Sequence, residues 1–290
     1  MTSKPMSPIP RACIMGHPVA QSRSPMLHGY WLAQLGITGE YVRQDVPPDG
    51  FAAFFTGFHA AGFVGGNVTA PHKQSALKAV ARVDAAASQI GAVNTIWTED
   101  GVLVGGNTDA HGFIANLDDR APGWQVPGAH AVLLGAGGAA RAAIFALRAR
   151  GVTVTLVNRT LPTAEELAAH FNAQPGPLVT VAAWGDMAAA LAAADLLVNT
   201  TVLGMTGKPA MEIDLASLKP GATVYDIVYV PLETDLLKQA RARGHRGVDG
   251  LGMLLHQAVP GFAAWFGQMP VVTAELRALI ENDILAKAAQ

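Results

Sequence analysis

Short apolar runs, polar turns carrying glycine and longer amphipathic stretches follow one another along the whole chain. The first run, Ala12–Gly16, predicts a strand that leads into the polar loop Gly16–Pro25. Ser24 reads as an N-cap and Pro25 as the first helical residue, and Gly36 stops that helix after Leu35. Tyr41–Val46 predicts a second strand, Phe51–Ala60 a helix with an apolar face, and Gly62–Asn67 a third strand. Helical sequence is expected over residues 74–90. Val93–Trp97 and Val102–Gly105 flank Glu99-Asp100-Gly101, a hairpin turn signal, and the polar turn Gly105–Gly112 leads into a further helix.

A second unit is expected after Pro122-Gly123 and Pro127-Gly128. Ala131–Gly135 predicts a strand, followed by a helix to Arg150 and a strand over Val152–Asn158, the length a βαβ unit needs. Helices over 163–171 and 186–193 and strands over 178–181, 196–199 and 223–229 continue the alternation. Strands alternating with helices argue for parallel sheets covered by helices on both faces. Helical pattern returns over Gly250–Phe266 and Thr273–Ala288, and residues 1–10 read as a loose Pro/Ser-rich tail.

The 290 residues fit two domains, and 50% apolar content is enough to fill two cores. Net charge is −2, with no basic stripe of the kind a nucleic-acid surface requires. The single cysteine, Cys13, excludes an intrachain disulfide framework. No secretory signal and no apolar run of membrane-spanning length is present, so a soluble cytoplasmic protein is expected. None of the histidines (among them His17, His28, His72, His111 and His256) has zinc-site spacing, so no metal is expected.

Gly135-Ala136-Gly137-Gly138-Ala139-Ala140 matches the dinucleotide fingerprint and has the right context: a strand before it, a helix after it and a second strand on time. The first glycine permits the tight turn, the second lets backbone approach a pyrophosphate, and the small Ala140 lets helix pack on strand. At the end of the second strand an NAD site carries an acid for the ribose 2′-OH. Here the chain reads Asn158-Arg159-Thr160, whose guanidinium and neutral donors suit a 2′-phosphate and favour NADP.

The first unit carries the candidate chemistry. Gly66-Asn67-Val68-Thr69-Ala70-Pro71-His72-Lys73 reads as strand, tight turn and helix start, with Asn67, Thr69 and Lys73 grouped at the turn. Reducing a carbonyl by hydride leaves an alkoxide, which needs a proton and a nearby positive charge. Lys73 can supply both, with Asp109 to orient it. The residues alone leave a solvated lysine and an N-capping aspartate as equal alternatives. Ser22 and Ser24 suit an anionic group at a helix N-terminus, although simple capping by Ser24 is the plainer reading. Asn94 starts a strand, where a buried amide must find partners, and Gln257 lies mid-helix, where an outward polar position explains it equally well.

Together these segments resemble the shikimate dehydrogenase family. The resemblance is carried by Ser22–His28, Gly66–Lys73, Gly91–Thr95, Gly106–Gly112, Gly135–Ala139, Asn158–Thr160, Tyr225–Pro231 and Asp249–Gln257. It implies an α/β fold of two domains: an open substrate domain over 1–110 and 251–290, and a Rossmann NADP-binding domain over 111–250, with the final helices packing back on the first domain and the active site in the cleft. It implies Lys73 and Asp109 as the acid–base pair. Ser22 and Ser24 would hold the carboxylate of shikimate, and Thr69, Asn94, Asp109, Gln257 and Tyr229 the rest of it. Gly135, Ala136, Gly137, Gly138 and Ala139 would cradle the pyrophosphate, Asn158, Arg159 and Thr160 the 2′-phosphate, and Ile227 and Gly250 the nicotinamide side. The implied activity is reversible NADP-dependent reduction of 3-dehydroshikimate, with no nucleic-acid or membrane partner and room for a homodimer. A quinate or aminoshikimate enzyme of the same family and a non-catalytic NADP-binding regulator are the alternatives. The chain departs from the family pattern at Gly29 after His28 and at Val202, and neither touches the substrate set.

Overall fold

A computed structural model describes residues 9–288; all but the last two residues of the expected N-terminal tail lie outside it. The chain divides into two compact units. Unit 1 runs to Thr108 and takes in Ala258–Leu276; unit 2 comprises Asp109–Gln257 and the chain from Arg277.

Unit 1 contains β1 (Arg11–Gly16), α1 (Ser24–Gln34), β2 (Glu40–Asp45), α2 (Phe51–Thr56), β3 (Phe63–Val68), α3 (Lys73–Ala79), β4 (Arg82–Val83), α4 (Ala85–Ile90), β5 (Thr95–Glu99) and β6 (Val102–Gly106). They build one sheet in the order β2-β1-β3-β5-β6-β4. β1 is parallel to β2 and β3, whereas β5 is antiparallel to β3 and β6. After Arg11, β1 carries no polar side chain, because both its faces are covered. Cys13 and Met15 pack with Phe51, Phe55, Phe58 and Phe63, and Ala12 and Ile14 pack with Tyr41 and Trp265. The Trp265 indole donates to Ile96 O at 2.8 Å and the Trp31 indole to Val271 O at 3.0 Å, which ties segment 258–276 to this sheet.

The helix expected over 74–90 is two helices. Asp84 ends the first pattern by capping the second, accepting the Ala87 N–H at 2.6 Å, while β4 pairs with β6 between them. The helix expected to reach Ala60 stops at Thr56 on Gly57. Pro71 lies outside α3, whose N-cap is His72, so the proline shapes the loop and not the first helical turn.

Unit 2 opens with α5 (Asp109–Arg120). It continues through β7 (His130–Leu134), α6 (Gly138–Ala149), β8 (Thr153–Val157), α7 (Leu161–Asn172), β9 (Val179–Ala182), α8 (Met187–Ala193), β10 (Leu196–Asn199) and β11 (Thr223–Asp226), then α9 (Asp235–Ala242) and β12 (Arg246–Val248). α10 (Leu251–Phe266) and α11 (Ala274–Ala288) each begin in one unit and end in the other. The sheet order is β12-β11-β10-β7-β8-β9, parallel throughout, which is the doubly wound dinucleotide-binding order with its switch point between β7 and β10. The strand expected over 223–229 ends at Asp226, because the Asp226 carboxylate turns back to accept the Val228 N–H at 3.0 Å. The hydrophobic pattern gives no clear sign of α9 or β12. Both are short, and α9 is announced only by its cap, Thr234, which accepts the Leu237 N–H.

The division differs from boundaries at 110/111 and 250/251. The start of α10 stays with unit 2 because Gly112 of α5 lies against it, a Cβ there falling 2.6 Å from the Gln257 Cβ. The end of α11 stays there because Arg277 pairs with Asp249 at 2.8 Å.

Candidate active site

In unit 1 the site grows from the carboxyl ends of β1 and β3. A Cβ on Gly66 would overlap the Cys13 carbonyl, and one on Gly16 would overlap the Thr69 side chain, so glycine is what lets these two strand ends meet. Beyond them Thr69 N donates to Met15 O at 2.9 Å and His17 N to Ala70 O at 3.0 Å. The buried His72 imidazole bonds Val46 O through Nε2 at 2.6 Å, anchoring the loop to the end of β2. Lys73 then opens α3, half-buried, and its carbonyl accepts the Val93 N–H at 3.0 Å. That bond sets Lys73 beside Asn94.

Asn94 is buried, and both its amide oxygen and its amide nitrogen have partners. Oδ1 accepts the Thr108 N–H at 2.7 Å and the Thr95 hydroxyl at 2.9 Å, while Nδ2 donates to Thr108 Oγ1 at 3.1 Å. Asn94 therefore fixes Thr108, the last residue of unit 1 and the one before Asp109.

The serines belong to the same polar system. Ser22 Oγ donates to Ser24 Oγ at 3.2 Å, and Ser24 hydrogen-bonds the Tyr41 hydroxyl. Tyr41 donates to Asn67 Oδ1 at 2.6 Å, and Asn67 Nδ2 donates to Thr95 Oγ1 at 3.2 Å. One chain of side-chain hydrogen bonds thus runs Ser22–Ser24–Tyr41–Asn67–Thr95–Asn94. Arg43, on the same face of β2 as Tyr41, donates through Nε to Ser22 O at 3.1 Å and also through Nη2, holding the serine loop. Beneath the loop the wholly buried His28 stacks on Tyr41 with ring centroids 4.0 Å apart. Burial pushes its pKa down to about 3 against the opposing effect of the Asn67 amide, so the ring is neutral.

In unit 2 Gly135 holds φ +101 at the end of β7 and donates its N–H to Val157 O at 2.9 Å. Gly137 is the N-cap of α6 and brings no side chain to cap it, and Ala140 is fully buried beneath. A Cβ on Gly137 or Gly138 would meet no protein atom, so these two glycines leave an open cradle over a helix N-terminus. Uncapped N–H groups, the positive end of the helix and absent Cβ atoms fit a pyrophosphate. Thr200 and Thr201, after β10, close the other side of Gly135, as a switch-point crevice requires. Past β8, Asn158 Nδ2 donates to Thr160 O at 2.8 Å, and Arg159 and Thr160 are exposed.

The remaining positions follow β11 and flank α10. The Asp226 carboxylate accepts from Asn199 Nδ2, Val228 N and the Thr234 hydroxyl, which fixes the loop carrying Ile227 and the half-buried Tyr229. Burial pushes the Asp226 pKa up, and those three donors oppose it. A Cβ on Gly250 would overlap the Ile227 backbone, so Gly250 and Ile227 are adjacent. Asp109 is the first residue of α5, where a carboxylate favours the helix dipole. Gln257 is buried on α10, with Nε2 donating to Leu254 O at 3.1 Å.

The sequence pattern gives no sign of Tyr41, Thr95 or Thr108 as members of this system. Tyr41 reads as one more apolar strand residue, and only its partner Asn67, in the same motif as Lys73, carried a signal. Among the described residues no cluster of three His, Cys, Asp or Glu side chains could hold a metal, and no helix is long and apolar enough to cross a membrane.

Comparison with known proteins agrees with both halves of this description. Residues 14–96 match the family described as shikimate dehydrogenase substrate binding domain, and residues 120–206 match shikimate / quinate 5-dehydrogenase. A protein of Mesorhizobium japonicum named shikimate dehydrogenase (NADP(+)) is 58% identical over 96% of this chain and 98% of its own. One of the same name from Azorhizobium caulinodans is 56% identical over 96% of this chain and 98% of its own. Among solved structures, shikimate 5-dehydrogenase of Thermus thermophilus with NADP(H) and shikimate has TM-score 0.82 at 34% identity, covering 96% of this chain and 99% of that one. A quinate dehydrogenase from Corynebacterium glutamicum in complex with NAD has TM-score 0.87 at 31% identity, covering 94% and 99%.

Proposed function

This chain belongs to the shikimate dehydrogenase family, and from that premise we propose that it is an NADP-dependent dehydrogenase that reduces 3-dehydroshikimate to shikimate reversibly. The observation that carries the reading is 58% identity, over nearly the whole of both chains, to a relative named for that activity and cofactor. The quinate enzyme, at 31%, stands further away in sequence despite its similar fold. Both serines and the Asn158-Arg159-Thr160 run, which has no acid, support shikimate and NADP over quinate and NAD.

In this reading unit 1 is the substrate domain and unit 2 the cofactor domain. Ser22 and Ser24 would bind the substrate carboxylate from a loop that Arg43 holds at Ser22 O and Tyr41 holds at Ser24. Thr69, Asn94, Asp109, Tyr229 and Gln257 hold the ring oxygens. Gly135 to Ala139 would hold the pyrophosphate, Asn158, Arg159 and Thr160 the 2′-phosphate, and Ile227 and Gly250 the nicotinamide side. When bound, NADPH supplies a hydride to the substrate carbonyl carbon. Lys73 offers positive charge to the carbonyl oxygen and a proton to the alkoxide formed there, and Asp109 orients the Lys73 ammonium and takes part in returning the proton. In the oxidative direction the same pair removes the hydroxyl proton. The protein acts as a cytoplasmic enzyme and a homodimer, the latter tested by light scattering, where a monomer mass would reject it.

The deciding experiment is an initial-rate panel of shikimate, quinate and aminoshikimate with NADP+ and NAD+. Shikimate with NADP+ should give the highest kcat/KM. A higher value for quinate replaces the substrate assignment, and NADP binding without any turnover rejects the enzyme reading.

A further inference from the structure

Three stretches of unit 2 that the proposed reading assigns to the site meet at a side chain outside it, Asn116. It lies on α5, seven residues after Asp109, which is two turns along the same helix face. It is fully buried. Its Nδ2 donates to two acceptors, Asp249 O at 2.7 Å and the Tyr225 hydroxyl at 2.8 Å. The first acceptor immediately precedes Gly250 and α10, which carries Gln257. The second belongs to β11, two residues before Ile227 and four before Tyr229.

The packing is as specific as the hydrogen bonds. Asn116 Oδ1 is buried without a hydrogen-bond partner and rests on the backbone of Gly252, where a Cβ would overlap it. One turn earlier Gly112 rests on the other helix, a Cβ there lying 2.6 Å from the Gln257 Cβ and from Met253 O. α5 and the start of α10 are thus pressed together through a glycine on each. Arg277 holds the Asp249 carboxylate at 2.8 Å, and that carboxylate accepts the Leu251 N–H at 3.0 Å. A buried amide with an idle acceptor is a costly way to fill space, and an apolar side chain would remove that acceptor but leave Asp249 O and the Tyr225 hydroxyl without this donor. What an apolar side chain cannot do is tie a backbone carbonyl of one segment and a side-chain hydroxyl of another through one nitrogen.

We propose that Asn116 is a positioning residue that holds the Gln257 helix and the Ile227–Tyr229 loop in register with Asp109. The proposal rests on the shikimate dehydrogenase reading, since it acts through residues that reading places on the substrate. A displacement of about 1 Å in such groups costs on the order of a hundredfold in rate.

The test uses the full chain with Asn116→Ser and Tyr225→Phe, the latter removing one of the two acceptors while keeping the ring stacked on Phe113. Asn116→Ser should lower kcat/KM for shikimate by about tenfold or more, with circular dichroism as the folding control. The loss should shrink when the substitution is made in a Gln257→Ala background, because coupled positions are not additive. Tyr225→Phe should show a smaller loss in the same parameter. Wild-type kcat/KM in folded Asn116→Ser overturns the proposal, as does an equal loss in both backgrounds. If Asn116→Ser does not fold, wild-type kcat/KM in Tyr225→Phe overturns it. Failure of the wild-type protein to oxidise shikimate would instead reject the underlying reading, whatever the variants do.

Discussion

His28 stacks on Tyr41 at 4.0 Å, and Phe262 lies parallel to its ring at 5.9 Å, so an imidazole is held as an aromatic core side chain directly under the serine loop. Burial lowers its pKa from 6.5 to about 3. Between those values the unfolded chain binds a proton that the folded chain refuses, so stability is full above pH 6.5 and falls as pH drops through that window. From this residue alone the loss between pH 6.5 and about pH 4.5 should be about 2–3 kcal/mol. Urea unfolding of wild type and His28→Phe at both pH values measures it. An equally steep acid loss in the variant would assign the effect to other groups.

Lys73→Ala should cut kcat by about 10²–10⁴-fold, with a much smaller rise in KM for shikimate, because charge on a developing alkoxide acts mainly in the transition state. Val93 N bonds the backbone carbonyl of residue 73, which the substitution keeps, so the fold around Asn94 should survive. Steady-state kinetics with circular dichroism as a folding control decides it. A variant that loses only affinity makes Lys73 an anchor and not an acid.

The sequence shows the two sheets where patterning is local and the ligand loops where unusual residues cluster. Gly135–Ala140 and Gly66–Lys73 are legible because a glycine, proline or lysine in those places has few ordinary uses. Asn116 and Tyr41 are not, because their roles come from partners far along the chain: Asp249 lies 133 residues from Asn116, and Asn67 lies 26 from Tyr41. The same holds for Asp84. A helical pattern runs straight across it, and only pairing of β4 with β6 reveals that the chain must break there.

Two glycines in different settings should separate packing from ligand binding. A Cβ on Gly65 would overlap the Trp265 indole and lie 2.5 Å from Ile96 O, so Gly65→Ala should cost about 1–3 kcal/mol of stability by overpacking. A Cβ on Gly137 meets nothing, so Gly137→Ala should leave thermal stability unchanged while filling the cradle above α6. Melting temperature and KM for NADP+ are the two readouts. Stability loss in Gly137→Ala, or unchanged KM for NADP+ with that variant, would remove the pyrophosphate assignment.

In the proposed reading Arg159 decides which dinucleotide the cradle accepts. It follows β8, the strand that lies beside β7 and its glycine loop in the sheet, and it stands exposed in a loop that Asn158 closes onto Thr160. An adenosine 2′-phosphate bound there would meet a guanidinium able to grip it with two parallel hydrogen bonds. A 2′-hydroxyl offers the same guanidinium much less, and an acid at this position would reverse the preference by accepting that hydroxyl and repelling the phosphate. Arg159→Asp should therefore raise KM for NADP+ by about tenfold or more, since a charge-assisted hydrogen bond of about 1.5–3 kcal/mol is replaced by repulsion. KM for NAD+ should hold steady or fall. The loss with NADP+ should also shrink as ionic strength rises, because both charges face solvent and salt screens them. An unchanged ratio of the two KM values would show that Arg159 is a solvated surface residue and that the 2′-phosphate is bound elsewhere.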